Sequence, residues 1–149
     1  MYTRHKVEGI ALFIIITAIS YYTNLSYDNL ANVAITVVSI SVAVYIAAMS
    51  ALLGSPYANR LKSVADKQVR GKSQLGVLTA YLRAAGRCGT ITIIISCLYL
   101  IPSPITIPFY TTKFFSSISY GIFAVNVLFL WIIFHFLSVA LVDSAQKIS

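Results

Sequence analysis

The sequence predicts an all-α integral membrane protein of four transmembrane helices, on three observations. The 149 residues are 58% hydrophobic and only 10% charged, with a mean hydropathy of +0.83; a soluble domain carries about 25% charged residues. The few charges are clustered, leaving charge-free runs at residues 9–27, 29–59, 88–112 and 114–142. Each run can hold the roughly 20 apolar residues that a helix needs to cross a hydrocarbon core about 30 Å thick. This composition is at odds with a soluble enzyme, a disordered chain or a disulfide scaffold. Barrel strands would alternate polar and apolar residues, whereas Ile14-Ile15-Ile16, Ile93-Ile94-Ile95 and Trp131-Ile132-Ile133-Phe134 are unbroken apolar stretches.

The runs place spans at about 7–24, 30–54, 84–101 and 117–142 in one transmembrane domain covering 1–149. Span 1 follows Arg4 and Lys6 as a signal peptide would, but Ala18-Ile19-Ser20 before Tyr21-Tyr22 is a poor cleavage site, so the span is read as uncleaved. Residues 25–29 leave room only for a tight hairpin turn. Span 2 bears a weakly polar stripe, Asn32, Thr36, Ser39, Ala43, Ser50 and Gly54, in steps of three, four or seven that follow one helical face. That stripe could line a pore. Small residues also recur every fourth position, at Ser39, Ala43, Ala47 and Ala51 in span 2 and at Ala84, Cys88, Thr92 and Ser96 in span 3, with Ala85 and Gly89 beside the latter. Such ridges let helix backbones approach closely.

Residues 55–83 form a basic cytoplasmic hinge. Ser55-Pro56 reads as a helix start, and a short basic helix is predicted over 56–70 with Leu61, Val64 and Ala65 on one side. Gly71 breaks it, and Ser73 caps a second helix that merges into span 3. Residues 102–116, with Pro102, Pro104 and Pro108, cannot continue a helix and are predicted as an extended segment framing the outer surface. Span 4 contains the strongest intramembrane polar candidates. Asn126 is suited to hydrogen bonding across helices. His135, on a face with Trp131 and Ser138, is a functional candidate because ionisable groups in the bilayer are costly.

Orientation follows from the short loops. Of the eleven Lys and Arg, only Lys113 lies outside the N-terminus, the C-terminus and the hinge with its approach to span 3. Both termini and the hinge are therefore predicted to be cytoplasmic, with Tyr21, Tyr22, Tyr27, Phe109, Tyr110, Phe114, Phe115 and Tyr120 crowding the outer interface. Residues 60–87 hold seven basic side chains and one acidic, a net +6 of the chain's +7. Contact with anionic lipid and fixing of topology account for such a cluster. The sharper expectation is an anion site made of Arg60, Lys62, Lys67, Arg70, Lys72, Arg83 and Arg87, taking a nucleotide or oligonucleotide, or else a cytosolic protein partner. Arg83 and Arg87 share a face and would form a ring in a symmetric oligomer.

Catalysis finds little material. There is no paired carboxylate in any span, and His5 and His135 fit no metal pattern. Cys88 and Cys97 suit neither a metal nor a disulfide. A non-enzymatic protein without cofactor or metal is expected.

In layout, with both ends inside, compact outer loops and a basic hinge, the whole chain resembles the small four-span membrane effectors of bacterial anti-phage systems of the Hailong and Kiwa type. It is also similar to phage holins and superinfection-exclusion proteins. The resemblance implies a bacterial inner-membrane homo-oligomer, a channel that depolarises the membrane when a cytoplasmic partner or nucleotide changes. No residue role comes from it. Two other functions stand beside the channel: a structural or adaptor subunit of a membrane complex, which predicts a monomer or hetero-complex without conductance, and a holin-like protein or small-solute permease, indifferent to Arg83 and Arg87.

Overall fold

The computed structural model describes residues 2–54, 56–66, 69, 71–101 and 109–145. Five helices follow in order: α1 (Thr3–Thr23), α2 (Asp28–Leu53), α3 (Pro56–Ser63), α4 (Gln74–Leu100) and α5 (Phe109–Ala145). The described residues hold no strand, only an isolated bridge between Ala65 and Ser73. The protein is all-α, as the charge-free runs predict.

Among the described residues three helices are long and apolar enough to cross a membrane: α1, α2 and Thr112–Val139 of α5. The fourth predicted span falls in α4, which is as long as α2 but carries Arg83, Arg87, three glycines and several hydroxyls. Two of its hydroxyls are instead covered by protein. Thr92 and Ser96 lie on the same buried face as Val77, Leu78, Tyr81, Leu82, Ala85 and Gly89.

The four long helices stand in a row, α1 against α5, α5 against α4, and α4 against α2. Along its length α1 packs on α5 alone, meeting α4 only at its start through His5, and α2 touches α5 only lightly. The turn between α1 and α2 is as short as the sequence predicts, but it does not close a hairpin, since the two helices make no contact. Asn24, left-handed at φ 53°, ends α1 with its N–H bonded to the Ser20 carbonyl. Tyr27 then plugs the turn into the far helices. Its N–H donates to Ser116 Oγ at 2.7 Å, its hydroxyl meets Ser96 Oγ at 2.9 Å, and its ring packs tilted against Tyr99 and edge-on against Tyr120 with centroids 5.1 and 5.3 Å apart. Tyr27 is wholly buried, so this tyrosine cluster anchors one end of the row.

Two predicted segments differ from what forms. The basic helix expected over 56–70 stops at Ser63, because the next residues bond across a loop: Gln74 N–H donates to the Val64 carbonyl and Asp66 N–H to the Lys72 carbonyl. Gly71 turns this loop at φ +78°. The extended segment expected through 116 gives way at Phe109, where α5 begins; beyond Pro108 nothing bars a helix, and Pro is tolerated just ahead of one. Residues 102–108, the rest of that segment, lie outside the described residues, as does Ser55, the proposed cap of α3. The Ser73 cap forms as predicted, its Oγ accepting the Gly76 N–H at 3.2 Å.

Candidate functional site

The basic end of the row, opposite the tyrosine cluster, gathers most of the predicted charges. Lys62 on α3 and Lys72 on the loop are exposed. Arg60 stands on α3, with its side chain outside the described residues, and Lys67 and Arg70 lie outside them altogether. Arg83 and Arg87 project from α4 on the side opposite its buried face, and both are exposed. Neither makes an ion pair or hydrogen bond with a described residue; the one such ion pair is Arg4 with Glu8, at 2.7 Å.

Asp66, the lone acid in the basic segment, organises what surrounds it. One carboxylate oxygen accepts the Val69 N–H at 2.7 Å and shapes the loop; the other accepts the Tyr2 hydroxyl at 2.9 Å. The Tyr2 N–H donates to the Tyr81 hydroxyl at 2.9 Å, and that hydroxyl lies 2.6 Å from His5 Nδ1. The Phe136 ring packs on Tyr2, His5 and Tyr81, with centroids 5.4 to 6.3 Å apart. The start of α1 is thereby latched to α4, α5 and the basic loop at once. Charge and motif reading missed this latch because its hydrogen-bonded members lie up to 79 residues apart; the one local clue is a solitary aspartate among cations.

Burial first, then the Asp66 hydrogen bond and charge, push the Tyr2 hydroxyl from 10.0 up to about 12. A group whose value is raised in the latched form binds its proton more tightly there. The latch is therefore at full strength below pH 10.0 and weakens as the pH rises toward about 12. Tyrosinate absorbance of the full chain, compared with Tyr2→Phe, should show one phenol ionising late; identical titrations would remove the latch.

The intramembrane candidates separate. Asn126 is buried and spent within the chain: its amide nitrogen donates to Thr92 Oγ1, to the Ile122 carbonyl at 3.2 Å and to the Cys88 carbonyl at 3.4 Å, tying α5 to α4. His135 is exposed, on the outer side of α5 beside Trp131, which is 72% exposed. The α2 stripe faces away from the rest of the protein. Asn32, Thr36, Ser39, Ala43, Ser50 and Gly54 are all exposed, while Ala31, Ala34, Val38, Ser41 and Tyr45 form the covered face. The Thr36 hydroxyl is bonded only within its own helix, to the Asn32 carbonyl at 3.0 Å. Of the two small-residue ridges, that of α4 meets a neighbour: at Gly89 a Cβ would sit 2.7 Å from Val42 Cγ2 and 3.2 Å from Val38 Cγ1.

Among the described residues no three His, Cys, Asp or Glu come together as a metal site, and Cys88 and Cys97 are both free. No protein-family model, curated protein or solved structure matches the chain.

Proposed function

We propose that the protein is a homo-oligomeric membrane channel of the bacterial inner membrane. α1, α2, α4 and α5 are its four spans, and both termini and the basic segment face the cytoplasm. The observation that carries this reading is the outward stripe of α2. Asn32, Thr36, Ser39 and Ser50 are exposed on a helix long and apolar enough to span. Polar groups left against acyl chains are costly, and a second copy or a file of water relieves them. The row arrangement supports it further. α1 and α2 are open edges, each covered on one side only, so copies can join without disturbing the chain's own core.

The placement of Arg4, Lys6, Lys62, Lys72 and Arg83 at one end supports the orientation, because positive loops stay cytoplasmic. The basic segment is the controlling surface, with Lys62 of α3 and Lys72 of the loop exposed and Arg60, Lys67 and Arg70 in the same stretch of sequence, taking a polyanion such as an oligonucleotide or an acidic cytosolic partner. The latch through Asp66 and Tyr2 carries a change there to α1. With the resemblance in layout, anti-phage defence is the setting in which a channel so controlled has a use.

The test is the full chain purified in detergent and reconstituted. Light scattering should give a closed homo-oligomer, and a planar bilayer should carry current that an oligonucleotide on the basic side alters. A monomer, a ring without current, or labelling of residues 62 and 72 from outside the cell would overturn the reading.

A further inference from the structure

Arg83 and Arg87 stand apart from the other basic residues, and the geometry points to them as the headgroup site of an anionic phospholipid whose acyl chain lies between α2 and α4. A groove of about 550 Å³ runs there, walled by Val42, Tyr45, Ile46 and Met49 of α2 and by Leu82, Gly86, Thr90 and Ile91 of α4, with both arginines at its rim. No carboxylate lines it, so two guanidinium charges sit beside an apolar trough with nothing among the described residues to neutralise them. An amphiphile with a phosphate at one end and a hydrocarbon tail complements both halves. Above the arginines the outer face of α4 continues with Ile91, Ile94 and Leu98, each at least half exposed. The Tyr45 hydroxyl, in the groove wall and buried, has no hydrogen-bond partner among the described residues, and the nearby Ser41 hydroxyl donates to the Val37 carbonyl at 2.7 Å.

Depth selects a lipid over a soluble polyanion. From Leu100 at the end of α4 back to Arg87 is thirteen residues, about 20 Å at 1.5 Å per residue. A hydrocarbon core is about 30 Å thick, so Arg87 starts inside it and its side chain must extend toward the headgroups. A phosphate of the same leaflet reaches that position, whereas a nucleic acid in the cytosol does not. Two basic side chains near the surface correspond to about a 30-fold preference for an anionic lipid, which is about 2 kcal/mol at 1.4 kcal/mol per tenfold. The assignment rests on the proposed placement of α4 across the bilayer and is independent of conduction.

The experiment is native mass spectrometry of the full chain from nanodiscs of equal phosphatidylglycerol and phosphatidylcholine. The expected result is retained phosphatidylglycerol in about 30-fold excess over phosphatidylcholine, lost in Arg83→Gln/Arg87→Gln and kept in Lys62→Gln/Lys72→Gln. Gly86→Leu gives a second arm. A Cβ at Gly86 meets nothing within 4 Å, so leucine there fills the groove without disturbing the fold and should also expel the lipid. Equal retention of the two lipids, or retention unchanged in both the double-arginine variant and Gly86→Leu, overturns the site. Displacement by inorganic phosphate or an oligonucleotide also overturns it, by assigning the arginines to a soluble anion. A monomer that still holds phosphatidylglycerol defeats the channel and leaves this site standing; a conducting ring without lipid preference does the reverse.

Discussion

Gly121→Leu loosens α1 beyond its latched start while leaving α2, α4 and α5 packed. A Cβ at Gly121 would lie 2.8 and 2.9 Å from Cδ2 and Cε2 of Phe13, and closer still to Thr17 Oγ1. Real side chains do not approach that closely, so the neighbour must move, and beyond the latched start at His5 α5 is the helix on which α1 packs. Overpacking costs about 1–3 kcal/mol where the surroundings can adjust; here a whole leucine side chain must be accommodated, and beyond its latched start α1 has no second helix to hold it. Gly→Leu in a helix also gains about 1 kcal/mol of propensity, and Gly86→Leu carries that gain with open space around it, so it is the proper reference. Hydrogen exchange of the detergent-solubilised chain should show residues 9–20 losing protection in Gly121→Leu, with α4 unchanged. Gly89→Leu should instead loosen α2, whose Val42 and Val38 occupy the space. Exchange in Gly121→Leu indistinguishable from that in Gly86→Leu would mean that the α1–α5 contact is not close.

The helices were legible because lipid-crossing segments announce themselves through missing charge: α1, α2 and α5 lie where residues 9–27, 29–59 and 114–142 lack any. The Ser73 cap was legible because a hydroxyl before a helical pattern has one local use. The early stop of α3 was not, since it depends on Asp66 capturing the Val69 N–H and the Tyr2 hydroxyl, and Tyr2 is 64 residues away. The order α1–α5–α4–α2 was hidden for the same reason. Two four-residue ridges look alike in sequence, and only the approach of Val38 and Val42 to Gly89 decides that the α4 ridge faces inward and the α2 ridge outward. Of the candidate site, charge alone identified the cations, while the groove beside Arg83 and Arg87 and the latch around Tyr81 needed two helices brought together.

Asn32→Leu/Thr36→Leu/Ser39→Leu should abolish conduction without unfolding the chain. None of the three side chains touches α4, because the covered face of α2 is made by Ala31, Ala34, Val38, Ser41 and Tyr45. The one hydrogen bond lost among the described residues is local, from the Thr36 hydroxyl to the Asn32 carbonyl, and leucine is the better helix former. Helix content and α2–α4 packing are thus preserved or improved, and a lone chain becomes more soluble in lipid. What changes is the relation between copies. If the stripe lines water, three leucines per copy make an apolar constriction that closes by dewetting; if it packs against the next copy, they remove the hydrogen bonds and the close approach that small residues permit. Polar contacts in membranes average about 0.6 kcal/mol each, so three of them account for about 2 kcal/mol, or a roughly 30-fold shift in association per interface. Circular dichroism should be unchanged and the bilayer current lost in either case, while light scattering separates the two: an intact ring means a blocked conduit, and a monomer means a broken interface. Current and assembly both equal to those of the parent chain would place the stripe against lipid and remove the observation on which the channel reading stands.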